Sequence, residues 1–282
     1  MTTGKSWIIA ALAGLSLLGL SACSEEDSSM SNAEPPLPQV TDAQLEALAG
    51  KTFYFAHQSV GYNIVDGMSR VLARLGRPDL FSIHELQPGQ PVPKNGVLHS
   101  TVGSNGDPAS KLNEFQVYLN ERLGDARPDM AMLKFCYLDI DKETDVAKLA
   151  DEYDQSLAGL SGEHPETLLI YSTIPLRVFN DSWKAAIKRL LGMDVWGDEA
   201  NIRRNEYNAL IRKKYAHTGR LADVAAWEST YPDGKPHRIR LNGHEYAELI
   251  PEYSDDGKHL NDYGQQVVAG RLLELLAGLT GR

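Results

Sequence analysis

The feature of this sequence that most limits its fold is an alternation of short β-prone runs with amphipathic helical segments. The β-prone runs lie at residues 51–56, 80–86, 129–140, 167–173 and 220–225. Apolar residues at helical spacing predict helices over residues 60–75, 111–123, 144–160, 200–215 and 261–279. This alternation implies right-handed crossovers and a mostly parallel sheet between two layers of helices. We therefore expect one α/β domain over residues 41–282, with insertions near residues 84–108 and 228–250.

The start of the chain follows a different pattern. A lysine precedes the apolar run WIIAALAGLSLLGL at residues 7–20, which is shorter than a bilayer-spanning helix and suits the apolar part of a signal peptide. The run ends in LSAC at residues 20–23, which resembles the lipobox of bacterial lipoproteins. The resemblance implies a signal peptide over residues 1–22 and a lipid on Cys23. An ordinary secretory signal with an incidental cysteine is the alternative.

The residues after Cys23 predict a flexible connection to the folded domain. Residues 23–40 are acidic and rich in serine and proline, with almost nothing to bury, which is typical of a disordered tether. TDAQ at residues 41–44 then has the pattern of a capping box that opens a helix. Because Ser24 follows the cysteine, the lipobox resemblance implies a lipid-anchored protein of the bacterial cell envelope, at the outer membrane or the cell surface.

Charge and cysteine content exclude several classes of protein. The formal net charge is −10, and removal of residues 1–22 with their single lysine makes it −11. An acidic surface repels phosphate backbones, so we do not expect nucleic acid as a partner. The chain has only two cysteines, Cys23 and Cys136, which rules out a disulfide framework. The histidines show no tight metal-ligand spacing, and we expect neither a metal ion nor another cofactor.

Ser59 is the first candidate for chemistry. It follows the first predicted strand and precedes the first long helix, and ligands bind beyond the carboxyl ends of the strands in such sheets. The free N–H groups at a helix N-terminus favour negative charge on an alkoxide or a reacting carbonyl oxygen. The alternative is that Ser59 only caps the helix.

Asp256 and His259 form the second candidate. They lie three residues apart in SDDGKHLN at residues 254–261, just before the last predicted helix. A short turn lets the carboxylate accept a hydrogen bond from one imidazole nitrogen and leaves the other nitrogen facing a nucleophile. A solvated turn with a capping aspartate is the alternative.

A serine after the first strand and an Asp-x-x-His before the last helix, on an α/β body, resemble a divergent member of the SGNH/GDSL hydrolase family. The resemblance covers roughly residues 50–280. It implies a flavodoxin-like three-layer α/β/α sandwich and ester cleavage by a Ser-His-Asp triad. By this resemblance Ser59 is the nucleophile, His259 the general base and Asp256 its orienting acid.

The resemblance also implies an oxyanion hole, and here the sequence departs from the family pattern. The usual Gly-Asp-Ser is replaced by HQS at residues 57–59, and the third strand lacks the expected Gly-x-Asn-Asp. The remaining donors are the N–H groups of Ser59 and Gly103, with the side chain of Asn105 or of Asn63 in place of the missing asparagine. We expect His57, Gln58 and Asn63 to line the substrate site.

Three functions remain open at the sequence level. The first is an esterase or deacetylase that acts on an acyl ester, with an acylated carbohydrate as the substrate class that the family implies. The second is an O-acyltransferase with the same triad. The third is a non-catalytic glycan-binding lipoprotein, in which the loop over residues 87–108 and Trp183, Trp196 and Trp227 would hold the sugar.

Overall fold

The structure is a computed structural model that describes residues 34–87, 89–193 and 195–280. The expected signal peptide, the lipid site at Cys23 and residues 23–33 of the expected tether lie outside the described residues. In the described ranges, none of the helices has both the length and the apolar character that a bilayer crossing requires.

The central sheet has six parallel strands in the order β2-β3-β1-β4-β5-β6. The strands are β1 (Thr52–His57), β2 (Ile83–Glu85), β3 (Gly96–Thr101), β4 (Met130–Leu133), β5 (Leu168–Ser172) and β6 (Leu221–Ala222). Apart from the short edge strand β2, this is the strand order of a flavodoxin-like sheet. The chain changes direction across the sheet at β1, so the loops that follow β1 and its neighbours open into one crevice.

Helices cover both faces of the sheet. One layer contains α1 (Asp42–Ala49), α2 (Val60–Arg74) and α8 (Asp262–Leu279), which pack on one another. The other layer contains α3 (Pro108–Val117), α4 (Val146–Glu163) and α6 (Asp198–Tyr215). Two shorter helices, α5 (Trp183–Leu190) and α7 (Val224–Trp227), lie in the connections after β5 and β6. The predicted three-layer α/β/α sandwich with a mostly parallel sheet is therefore confirmed.

Alternation along β1 explains how one strand serves both layers. Tyr54 and Ala56 belong to the core cluster that includes Phe115 of α3 and Leu157 of α4. The residues between them have side chains on the opposite face because successive residues of a strand point to opposite sides. His57 ends the strand on that opposite face, where its ring packs against Gly61 of α2.

The structure differs from the sequence prediction mainly in the loops. The predicted loop over residues 87–108 contains β3, whose polar His99, Ser100 and Thr101 hid the strand from a search for apolar runs. The predicted strand over residues 129–140 is only β4, because the chain turns into a 3-10 segment at Tyr137–Asp139.

The second predicted insertion, residues 228–250, lies outside the central sheet. It contains an antiparallel hairpin of β7 (Arg238–Leu241) and β8 (His244–Ala247).

The described end of the expected tether packs on the domain. Pro35 and Pro38 are buried, and the Gln39 N–H donates to Glu274 Oε1 at 2.7 Å. Glu34 forms an ion pair of 3.1 Å with Arg74. Packing therefore begins ahead of residue 41, where the sequence places the domain boundary. The predicted capping box is present, with Thr41 and Gln44 each bonded to the other's backbone N–H.

The close crossing of α2 and α8 is the contact that matters most for the site. A Cβ atom on Gly67 of α2 would lie 2.2 Å from the backbone oxygen of Gln265 on α8, so only glycine fits there. An ion pair of 2.7 Å between Arg70 and Asp262 joins the same two helices. Since α2 begins directly after Ser59 and α8 begins shortly after His259, this packing sets the position of both side chains.

We expect Gly67→Ala to lower the free energy of unfolding by about 1–3 kcal/mol, because the added methyl group overpacks the crossing of α2 and α8. Urea denaturation measures this loss. The matched control is Gly278→Ala on α8, where a Cβ atom would meet nothing within 4 Å. That variant should gain about 0.5–1 kcal/mol from helix propensity. Equal effects in the two variants would contradict the importance of the crossing.

Candidate active site

Ser59, His259 and Asp256 meet at the carboxyl end of the sheet. Ser59 Oγ lies 2.6 Å from His259 Nε2, and His259 Nδ1 lies 2.7 Å from Asp256 Oδ2. Both distances are within hydrogen-bond range. The sequence prediction placed these three residues in one site, and the structure brings their side chains together in the predicted order. The imidazole and the carboxylate are each about two-fifths exposed, so the site is open to solvent.

Ser59 occupies a strained turn between β1 and α2. Its φ of 46° and ψ of −101° lie in a region that non-glycine residues rarely adopt, at a cost of about 1–3 kcal/mol. Ser59 occupies the N-cap position, but its hydroxyl makes no capping hydrogen bond. The hydroxyl points to His259 instead, so the alternative in which Ser59 only caps the helix does not hold.

Asp256, in the turn before α8, holds the His259 imidazole in position by hydrogen bonds. Asp256 Oδ1 accepts from the N–H groups of Lys258 at 2.9 Å and of His259 at 2.8 Å, while Oδ2 accepts from the imidazole. Burial raises the pKa of Asp256, but the hydrogen bonds from His259 and Lys258 outweigh burial and lower the pKa to about 2. Asp256 therefore remains ionised at neutral pH and holds His259 Nδ1 as a hydrogen-bond donor.

The oxyanion donors that the sequence predicted are only partly available. The Ser59 N–H has no acceptor among the described residues. The prediction for Gly103 is wrong, because its N–H donates to Glu114 Oε2 at 2.7 Å. Asn105 Oδ1 accepts from Lys111 Nζ at 3.0 Å, which turns the amide so that its Nδ2 group is left to donate elsewhere.

The residues predicted to line the substrate site have other roles. His57 is fully buried and bonds to His99 at 3.1 Å, so it does not face a substrate, and that prediction is wrong. Burial, helped by the charge of Lys134, holds the pKa of His57 well below 6.5, so the ring is neutral. Gln58 Nε2 donates to the carbonyls of Val102 and Gly103.

Asn63 remains close to the triad. Its Oδ1 accepts from the Leu260 N–H at 3.3 Å, directly beside His259. This bond connects the first turn of α2 to the residue that follows the imidazole. No acceptor for Asn63 Nδ2 occurs in the part of the chain that the structure describes.

A buried ion pair that the sequence analysis missed supports the loop after β3. Lys111 Nζ lies 2.6 and 2.7 Å from the two carboxylate oxygens of Asp139, and both side chains are fully buried. Asp139 also accepts from the N–H groups of Gly106 and Cys136. The pair therefore joins the loop that carries Asn105 to the turn after β4. The periodicity of the sequence does not predict this ion pair, because Lys111 and Asp139 lie 28 residues apart.

Two more titratable side chains, Lys134 and Glu228, are buried and interact electrostatically. Lys134 Nζ donates to the carbonyls of Phe135 at 3.1 Å and Gln58 at 3.4 Å, and so supports the residue before Ser59. Burial lowers the pKa of Lys134 to about 8. Glu228 is also buried; its carboxylate accepts from the Leu176 N–H, and burial raises its pKa to about 8.

Within the described ranges, Cys136 and the three tryptophans named from the sequence make no hydrogen bond to the side chains of the triad. Cys136 is a buried free thiol. Trp183 and Trp196 are largely exposed, and Trp227 is half-buried. In the described ranges, no three histidine, cysteine, aspartate or glutamate side chains gather in a way that would hold a metal ion.

Comparisons with known proteins give only distant likenesses. No protein family matches the chain, and no curated protein matches it either. A Streptococcus pneumonia protein, provisionally described as a platelet activating factor, is 15% identical with a TM-score of 0.47, over 83% of this chain and 90% of that one. A provisionally assigned lipolytic protein of G-D-S-L family from Desulfitobacterium hafniense DCB-2 is 9% identical with a TM-score of 0.43, over 80% and 99%. The fold is therefore assigned from its own strand order and layers.

We expect Lys111→Met to lower the free energy of unfolding by about 3–5 kcal/mol, because it leaves the Asp139 carboxylate buried without its cation. Urea denaturation measures the loss. Adding Asp139→Asn should restore part of it. The matched control is Lys148→Met, which breaks an exposed pair with Glu152 and should cost at most about 0.5 kcal/mol. Similar losses for the two lysine variants would contradict a buried pair.

Glu228 makes stability depend on pH. Its pKa is about 8 in the folded chain and 4.5 ordinarily, so between those values the unfolded chain releases a proton that the folded chain keeps. The free energy of unfolding therefore falls as the pH rises through this window. Glu228→Gln should remove that fall, since its amide oxygen still accepts from Leu176. Urea denaturation at about pH 5 and pH 8 checks this, with exposed Glu121→Gln as the control. An unchanged fall in Glu228→Gln would exclude this residue as the cause.

Proposed function

We propose that this protein is a serine hydrolase that cleaves acyl esters through an acyl-enzyme intermediate. The observation that carries the proposal is the distance of 2.6 Å between Ser59 Oγ and His259 Nε2, with Asp256 on the other imidazole nitrogen. A nucleophile within reach of a base, and a base oriented by a third group, are the geometric requirements of nucleophilic catalysis. The two residues that meet these requirements, Ser59 and His259, lie 200 positions apart in the chain.

The proposed reaction has two acyl transfers. Ser59 Oγ attacks the ester carbonyl carbon while His259 Nε2 takes the hydroxyl proton, and the carboxylate of Asp256 stabilises the imidazolium. The tetrahedral intermediate collapses with loss of the alcohol, which receives the proton from His259. Water then attacks the acyl-enzyme by the same route, and the acid leaves as Ser59 regains its proton.

The Ser59 N–H and Asn105 Nδ2 are the donors that we assign to the oxyanion. Ser59 N–H lies at the start of α2 and has no acceptor among the described residues. Lys111 orients the Asn105 amide, and its N–H groups have no acceptor among the residues that the structure describes. Loss of one oxyanion donor costs roughly 10²–10³ in rate, so the commitment of Gly103 to Glu114 favours a slow enzyme.

An acylated carbohydrate is the substrate class that the SGNH/GDSL resemblance favours. The lipobox at residues 20–23 supports a place in the bacterial cell envelope, with a lipid on Cys23 as the membrane anchor and the outer membrane or cell surface as the site of action. The signal peptide, the acylated cysteine and the localisation remain proposals of the sequence.

A non-catalytic glycan-binding lipoprotein is the second candidate. The specific observation in its favour is the Gly103 N–H, which Glu114 already occupies. Transfer of the acyl group to a sugar in place of water would use the same triad, and acceptor dependence of the rate would distinguish it.

We expect a fluorophosphonate probe to label the wild-type protein at Ser59 and to leave Ser59→Ala unlabelled, because only a serine activated by its histidine reacts at a useful rate. Hydrolysis of p-nitrophenyl acetate should fall by about 10³-fold or more in Ser59→Ala and by roughly 10²–10⁴-fold in Asp256→Asn.

The matched control is Ser69→Ala, which removes a hydroxyl from α2 that donates to the Val65 carbonyl within its own helix. It should keep wild-type labelling and rate. Equal rates in wild type and Ser59→Ala would end the proposal of a serine hydrolase. Absence of labelling in the wild type would favour the glycan-binding alternative.

A further inference from the structure

Arg177 lies between two aromatic rings at the edge of the candidate active site. Its guanidinium carbon is 5.6 Å from the centre of the Tyr137 ring and 4.8 Å from that of the Trp196 ring. Tyr137 in turn meets the His259 imidazole edge-on, with ring centres 5.9 Å apart. A continuous row of side chains therefore connects the proposed base to Trp196, which is 80% exposed.

The guanidinium has no carboxylate partner among the described residues. Several arginines are paired, such as Arg189 with Asp198 and Arg212 with Asp223, whereas Arg177 forms no ion pair within the described ranges. Its Nε atom is buried and has no hydrogen-bond partner among the residues that the structure describes. A buried donor of this kind is costly unless a partner arrives, because its lost hydration is not replaced.

The backbone of Arg177 is held in place on two sides. Asn201, which is buried, accepts from the Arg177 N–H at 3.1 Å and donates to the Arg177 carbonyl at 2.9 Å. The next residue, Val178, donates to the carbonyl of Gly257 at 3.0 Å, inside the turn that carries Asp256 and His259. The arginine is therefore fixed relative to the triad before any ligand binds, which lowers the entropic cost of binding.

A second cation strengthens the positive potential here. The Tyr137 ring that Arg177 contacts also contacts Arg204, whose guanidinium carbon lies 5.9 Å from the ring centre. In the described part of the chain, Arg204 donates only to neutral oxygens, those of Tyr137, Ile140 and Asn201. The nearby Asp256 carboxylate is already bound to His259. Two guanidinium groups therefore lie against the Tyr137 ring beside the triad, and within the described ranges neither is hydrogen-bonded to a carboxylate.

We propose that Arg177, stacked between Tyr137 and Trp196, is a subsite for a carboxylate group of the substrate. The planar guanidinium fork matches a carboxylate with two parallel hydrogen bonds, and the aromatic stack keeps the fork in one plane. The exposed Trp196 ring offers an apolar face to the part of the substrate next to that carboxylate. The inference rests on the proposed function and narrows its substrates to acyl esters that carry a carboxylate.

Three esters test the subsite. They are neutral p-nitrophenyl acetate, mono-p-nitrophenyl succinate with its carboxylate on the acyl side, and 4-acetoxybenzoate with its carboxylate on the alcohol side. We expect the wild type to prefer one of the two anionic esters, which identifies the side on which the carboxylate binds. In Arg177→Gln, the ratio of kcat/KM for that ester to kcat/KM for p-nitrophenyl acetate should fall about 10- to 100-fold. Arg177→Lys should recover only part of the ratio, because it keeps the charge but loses the fork.

The control is Arg271→Gln, which removes an exposed guanidinium paired with Glu274 on α8 and should leave the ratio unchanged. The ratio separates a substrate contact from a merely structural role, which would lower kcat/KM for all three esters by one common factor. That common factor, or a wild type without preference for either anionic ester, would overturn the proposal.

A binding measurement keeps this test independent of catalysis. Isothermal titration of Ser59→Ala with 4-acetoxybenzoate and with the neutral 4-acetoxybenzamide compares two ligands of similar shape, of which only the first carries a carboxylate. Tighter binding of the carboxylate, lost when Arg177→Gln is added, supports the subsite even where the wild type cleaves no ester and the proposed function fails. Equal affinity for the two ligands would overturn it.

Discussion

The packing of α2 against α8 is the interaction on which the rest of this structure depends. Each helix begins just after one of the two side chains that meet at the site, so the angle and depth of their crossing set the distance between Ser59 and His259. Glycine at position 67 lets the two backbones approach at the Gln265 carbonyl. In the turn that connects β1 to α2, Ser59 has a positive φ. Strain of this kind persists only where the surrounding packing over-determines the backbone.

Buried charge is the second constraint at this end of the sheet. Lys111 and Asp139 neutralise each other, whereas Lys134 and Arg204 are surrounded by neutral carbonyl oxygens. Such groups are costly to bury, and apolar residues of similar volume would often be no less stabilising. Here their hydrogen bonds fix the loops that follow β1, β3 and β4, including the residue before Ser59. We infer that the polar interior serves the geometry of the site more than the stability of the fold.

The fold was largely predictable from the sequence, and the site only in part. β1, β5 and the long helices have uninterrupted periodicity, and their pattern predicted them. β3 was missed because a strand buried between two neighbours carries histidine, serine and threonine, which find partners only in the folded chain. His57 was assigned to the site because it lies beside Ser59 in sequence, and Gly103 because the family resemblance implies a glycine N–H after the second strand. In the folded chain His57 is buried and the Gly103 N–H donates to Glu114. Neither contact can be predicted from the local sequence.

The sequence by itself determined what short-range physics controls: the alternation of strands and helices, the capping box at Thr41, and the turn in which Asp256 holds His259 three residues away. These follow from backbone hydrogen bonds and side-chain periodicity within a few residues. Only the tertiary structure decided that Ser59 meets His259, that Lys111 orients Asn105, and that Arg177 stands unpaired between two rings. Some of these contacts join residues tens to hundreds of positions apart. The others depend on which hydrogen-bond donors are already paired in the folded chain, and a local sequence pattern contains no information about that pairing.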